Sequence, residues 1–124
     1  MADCEIYLQN PEMTPMIEWI EASVGEMDWI SENEDMVVFH AIAGGDTLPI
    51  IVQKEIAGTE LSEKIVGVWF NSIHAPWESD ADCARDAFKA LGCTVQCDPG
   101  DAVKGEDKFM QVDASGESII SLAE

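Results

Sequence analysis

The chain has 124 residues, 47% of them apolar, and its 25 Asp and Glu against 6 Lys and Arg give a formal net charge of −19. That length fits a single domain, residues 1–124, with a core of its own, and the apolar content together with Trp19, Trp29, Trp69 and Trp77 argues against disorder. The charge excludes nucleic acid as a direct ligand, because phosphate binding needs Lys and Arg, and no window approaches the roughly 18 apolar residues of a membrane span.

The opening residues lack the basic and apolar regions of a signal peptide, so a cytoplasmic location is expected. From Cys4 to Asn10 the apolar residues Cys4, Ile6 and Leu8 alternate with polar ones, which predicts a strand. Thr14 and Pro15 form an N-cap and first-turn pair, and Gly25 stops the helix they open. At about 100° per residue, Met16, Ile17, Trp19, Ile20 and Val24 share one face of it, and Glu18 and Glu21 the other.

Four strands are expected next. The stretches 26–31 and 35–42 flank the Asn33-Glu34 turn, 48–56 follows the Gly44-Gly45-Asp46 loop, and 64–72 follows a polar linker with Gly58 and Ser62. In the last of these Val66, Val68 and Phe70 oppose Ile65, Gly67 and Trp69, so it is apolar on both faces and reads as central. Gln53, Lys54 and Glu55 turn 48–56 polar, which suits an outer strand or a segment running past the sheet.

A second helix is expected to start at Ser79, with Asp82 in the capping-box position, and to stop at Gly92. Cys83, Ala84, Ala87, Phe88 and Leu91 face inward; Asp82, Arg85, Asp86 and Lys89 face water. A short strand at 94–97, a type II turn at Asp98-Pro99-Gly100, and a hairpin of 108–113 with 117–122 around Ala114-Ser115-Gly116 complete the chain. The expected fold is α+β in two layers, with two helices packed on one face of a largely antiparallel sheet. The strands flanking the second helix are expected to run parallel with a right-handed crossover.

The stretch from Ser72 to Cys83 joins the central strand to the second helix, where ligands gather in open α/β sheets. Capping and the helix dipole account for Ser79, Asp80 and Asp82, and those acids make the helix start a poor anion site. Asn71, His74, Trp77 and Glu78 are the candidate ligand-binding residues. His40 reads as a core or sheet-face histidine, and the glycine pair at 44–45 as a hairpin turn, since no Lys-Ser or Lys-Thr follows it. No catalytic residue, metal set or cofactor motif is identified. Cys4, Cys83, Cys93 and Cys97 contain no C-x-x-C spacing, and Cys93 and Cys97 on one strand would stand roughly 13 Å apart. Small buried thiols in a reducing compartment are expected.

The acidity has two readings: a surface kept hydrated in salt, or a face shaped for a basic protein, comparable in charge and size alone to nuclease inhibitors and DNA mimics. The candidate partner-binding residues are Glu32, Glu34, Asp35, Asp82 and Asp86. The expected function is therefore a non-enzymatic binding module or inhibitor engaging a basic protein surface. The alternative is a small-molecule-binding or enzymatic domain with its pocket around His74 and Trp77. A homodimer is also expected, because a sheet covered on one face leaves residues such as Met110, Val112, Ile119 or Trp29 needing cover.

Overall fold

The computed structural model describes residues 4–43, 45–54, 65–72, 75–97 and 108–121. His74, Gly44, the linker glycine and serine at 58 and 62, and the turn at 98–100 lie outside the described residues. The elements run β1 (Cys4–Gln9), α1 (Met13–Val24), β2 (Asp28–Glu32), β3 (Met36–Ala43), β4 (Asp46–Gln53), β5 (Ile65–Phe70), α2 (Asp80–Leu91), β6 (Val95–Cys97), β7 (Lys108–Asp113) and β8 (Gly116–Ser121). The fold is mixed α+β and dominated by its sheet. The strands form one antiparallel sheet of order β2-β3-β4-β5-β1-β6-β7-β8.

Local chemistry sets the element ends. Helix α1 starts one residue before Thr14, with Glu12 at the N-cap and no side-chain cap, and Pro15 sits inside its first turn. Nothing is lost there, because the first intrahelical bond to close is from the Met16 N–H to the Glu12 carbonyl, and proline brings no donor to leave unpaired. At α2 the Ser79 hydroxyl accepts from the Asp82 N–H at 3.1 Å, and Gly92 ends the helix in the left-handed conformation that costs glycine nothing. Asn33 builds the β2–β3 turn by accepting from the Asp35 and Met36 N–H groups with its side-chain oxygen. The β3–β4 hairpin closes at the Ala43–Asp46 pair, and β7–β8 at Asp113–Gly116.

Strand alternation sorts the residues into two faces. Cys4, Ile6, Leu8, Val37, Phe39, Ala41, Leu48, Ile50, Val52, Val66, Val68, Phe70, Val95, Cys97, Met110 and Val112 are buried in one core, which Met16, Trp19 and Ile20 of α1 and Cys83, Ala84 and Ala87 of α2 join. Helix α2 meets β1, β6 and β7, while α1 meets α2 and β3. Strand β5 is central, fourth of eight. Strand β4, in contrast, is interior, between β3 and β5. The polarity at its end marks only its exit, where Lys54 pairs with Glu32, whereas Leu48, Ile50 and Val52 are buried. Strands β5 and β6 do run parallel, but across β1, to which each is antiparallel. Met110 and Val112 do not lack cover: they are buried on β7, which α2 meets, and the exposed large apolar residues among those described are Trp29, Ile30, Ile42 and Ile119.

None of the four cysteines forms a disulfide, and Cys93 lies before β6 rather than on it. Burial, then the neighbouring Cys4 and acidic side chains, pushes the Cys83 thiol well above its ordinary range, and burial raises that of Cys93. Half-buried Cys93 is the only thiol within reach of a reagent; Cys4, Cys83 and Cys97 are buried. An aromatic disulfide reagent at neutral pH should therefore label one thiol per native chain, a phase that Cys93→Ser removes, and all of them in denaturant. Two or more fast thiols in the native protein would contradict this packing.

Candidate functional site

Backbone hydrogen bonds tie the described residues of the connection from β5 to α2. After Phe70 the Asn71 N–H bonds the Pro49 carbonyl, the Ser72 N–H returns to Phe70, and the Ala75 N–H reaches Ser72. Ala75 and Trp77 are buried, whereas Asn71 and Glu78 are exposed. At the start of α2 the Asp80 carboxylate accepts the Glu5 N–H at 3.4 Å, beyond the last residue of β1 that β6 pairs.

Trp77 is directed into the core. Its ring lies 4.7 Å from Phe70 and 5.5 Å from Trp19, and Trp19 meets Phe70 edge-on at 6.1 Å. The indole N–H groups of Trp19 and Trp77 both donate to one oxygen of Asp86, each at 3.2 Å. Asp86 thus joins α1 and the β5–α2 connection to α2. Asp82, the other α2 candidate, is bound by Arg85, whose guanidinium also grips Glu117 through two nitrogens at 2.7 and 3.1 Å. Those bonds hold Glu117 below the ordinary carboxylate range and raise Arg85.

The remaining candidates, Glu32, Glu34 and Asp35, sit at the β2–β3 turn, four to six strand spacings, roughly 19–29 Å, from the strands beneath α2. Glu32 pairs with Lys54, and Glu34 and Asp35 are exposed. The two acidic groups found in the sequence are therefore separate patches.

A different surface emerges from the register. The sheet face opposite the core carries Met36, Val38, Ile51, Ile65 and Trp69 on β3, β4 and β5, all half-buried. Across β1, β6 and β7 it turns polar. Here Gln96 donates to Gln111 at 2.8 Å, Gln111 donates to Asp113 at 3.0 Å, and Tyr7 hydrogen-bonds Glu5. Burial first, then the Glu5 charge and hydrogen bond, raises the Tyr7 phenol from 10.0 to about 12.

On this face Gly67, itself buried, pairs with Tyr7 on one side and Gln53 on the other, and Gln53 pairs with Met36. In the next row Ile51 pairs with Trp69 and Trp69 with Glu5. The missing side chain at 67 leaves a depression of about 250 Å³ lined by Glu5, Met36, Ile51, Gln53, Gly67 and Trp69. A wider hollow of about 380 Å³, with Glu26, Asp28 and His40 in its wall, opens near the end of α1. His40 stands on the sheet face, paired with Asp28 and Pro49. Among the described residues no group of His, Cys, Asp and Glu is arranged to hold a metal ion, and no helix is long and apolar enough to cross a membrane. The signal for Gly67 and Trp69 was in the alternation of β5; their neighbours on β1, β3 and β4 depend on register.

No family model matches the chain, and no curated protein or solved structure matches it.

Two outcomes follow from this geometry. Asp86→Ala leaves two nearly buried indole N–H groups without their acceptor and should cost about 2 kcal/mol in urea unfolding; Asp86→Asn keeps an oxygen and should cost about half of that. Stability equal to the parent in both would discount the shared acceptor. Tyr7 is the chain's one tyrosine, so phenolate absorbance reports it alone. Its midpoint should stand near 12 in the native protein, against 10.0 unfolded. The unfolded chain then loses its proton first, so this contribution is intact below the unfolded value and is lost as pH rises through that window; Tyr7→Phe abolishes that part of the slope.

Proposed function

We propose that the chain is a two-layer domain, with both helices over one face of the sheet, acting as a non-enzymatic binding module whose open face engages a basic protein. The observation that carries this reading is the make-up of that face. An apolar centre of Met36, Val38, Ile51 and Trp69 is flanked by Glu5, Asp28 and Asp113, with no Lys or Arg among the described strand residues on it. Apolar area supplies affinity and the carboxylates supply steering and choice of partner. The exposed Glu34 and Asp35, beside Met36, extend the same negative edge, whereas Asp82 and Asp86 are bonded within the chain.

The alternative site around His74 and Trp77 receives less support, because the Trp77 ring and N–H are already used by Trp19, Phe70 and Asp86. A homodimer across the open face would set carboxylates against carboxylates, with a formal charge of −19 on each copy. Free thiols suit a reducing compartment such as the cytoplasm.

Capture from the source cell at moderate salt, followed by association kinetics on the purified partner, tests the reading. The partner should be basic, and its association rate should fall about tenfold or more as salt shortens the Debye length from roughly 30 Å to about 10 Å. Neutralising Glu32, Glu34 and Asp35 together should slow association, and light scattering should return one chain per particle at low salt. Kinetics indifferent to salt and to that block, or a salt-stable dimer formed through the open face, would overturn it.

A further inference from the structure

We infer that the depression over Gly67 seats an arginine side chain of the basic partner, with its guanidinium on the Trp69 indole and against the Glu5 carboxylate. This rests on the open face being the binding surface, and adds the side chain that face selects. Size is the first argument. At about 250 Å³ the hollow falls below the roughly 300–1,000 Å³ of sites for small organic ligands, and matches one long side chain entering from above.

Chemistry is the second. Among the described residues of the lining Glu5 alone is charged, which favours a cation. The Tyr7 hydroxyl occupies one Glu5 lone pair and helps to orient the carboxylate, leaving others to accept. Trp69 offers an aromatic wall, Met36 and Ile51 offer apolar contact for a methylene stem, and the Gln53 side-chain oxygen is a further acceptor. A planar guanidinium stacks on an indole and donates sideways to carboxylate and amide at once. An ammonium is a compact, strongly hydrated charge that must give up water to do the same. Arginine is therefore preferred over lysine.

A second copy of this chain does not fit. Its one arginine, Arg85, is held by Asp82 and Glu117, and its open face would bring further carboxylates. The occupant is a different protein.

The probe is a fluorescein-labelled peptide of four arginines alternating with glycines, together with its lysine counterpart, titrated by anisotropy at moderate salt. The parent should bind the arginine peptide about fivefold more tightly than the lysine one. Glu5→Gln, Trp69→Leu and Gly67→Val should each weaken the arginine peptide about fivefold or more. Glu18→Gln/Glu21→Gln, which removes two exposed charges from the outer side of α1, should change it less than about twofold. Gly67→Val fills the hollow, and its melting temperature beside the parent's tells loss of the seat from loss of the fold. Should Trp69→Leu fail to fold, Gly67→Val and Glu5→Gln decide alone.

Equal binding of both peptides overturns the choice of arginine. If the pocket variants bind like the parent while neutralising Glu32, Glu34 and Asp35 abolishes binding, the depression is not the seat, but the reading as a module for basic proteins survives. If the parent binds neither peptide, both fall.

Discussion

One oxygen of Asp86 accepts the indole N–H groups of Trp19 and Trp77, and that shared acceptor ties α1 and the connection after β5 to α2. The rings themselves supply most of the energy. Burying 150–250 Å² of each indole is worth about 4–6 kcal/mol, against about 1.5–3 kcal/mol for a hydrogen bond to a charged group, less where water competes. The bonds add direction. Phe70 at the end of β5 forms the base against which both indoles pack, and the two N–H groups converge on a single oxygen. Ser79 caps α2 a few residues away, and Asp80 ties the same helix start to β1.

With Trp19, Phe70 and Trp77 gathered on the core side, the other side of the sheet is left with an unequal division of labour. Strands β3, β4 and β5 present the apolar residues Met36, Val38, Ile51, Ile65 and Trp69 there. Strands β6 and β7 present a hydrogen-bonded ladder of Gln96, Gln111 and Asp113, and β1 adds Glu5 and Tyr7. The boundary between the two halves passes through Gly67 and the Tyr7–Glu5 pair. A hollow therefore forms where apolar wall, carboxylate and missing side chain meet.

The acidity takes on a different meaning once placed in the fold. On α2 the acids are internal partners: Asp82 answers Arg85, and Asp86 answers the indoles. At the β2–β3 turn Glu34 and Asp35 project into water next to the apolar half of the open face. Equal charges on the page thus do unequal work, and what distinguishes them is which strands and helices stand beside them.

The sequence by itself determined the local elements. Alternation in Cys4–Gln9 and Ile65–Phe70, the Ser79 cap, the Gly92 stop and the hairpin at Ala114-Ser115 each depend on residues a few positions apart, and each is found in place. Even the start of α1, two residues early, is a local matter of which N–H groups go unbonded. Only the tertiary structure decided that β4 is interior, that Trp77 belongs to the core with Trp19, and that Glu5, Met36 and Trp69 surround Gly67. Those facts rest on strand order and register, which are set by the simultaneous burial of β1, β3, β4 and β5 in one core. A pattern of period two states that a residue faces one side of a sheet. It does not state which strand lies beside it, and the candidate binding surface is made of that adjacency.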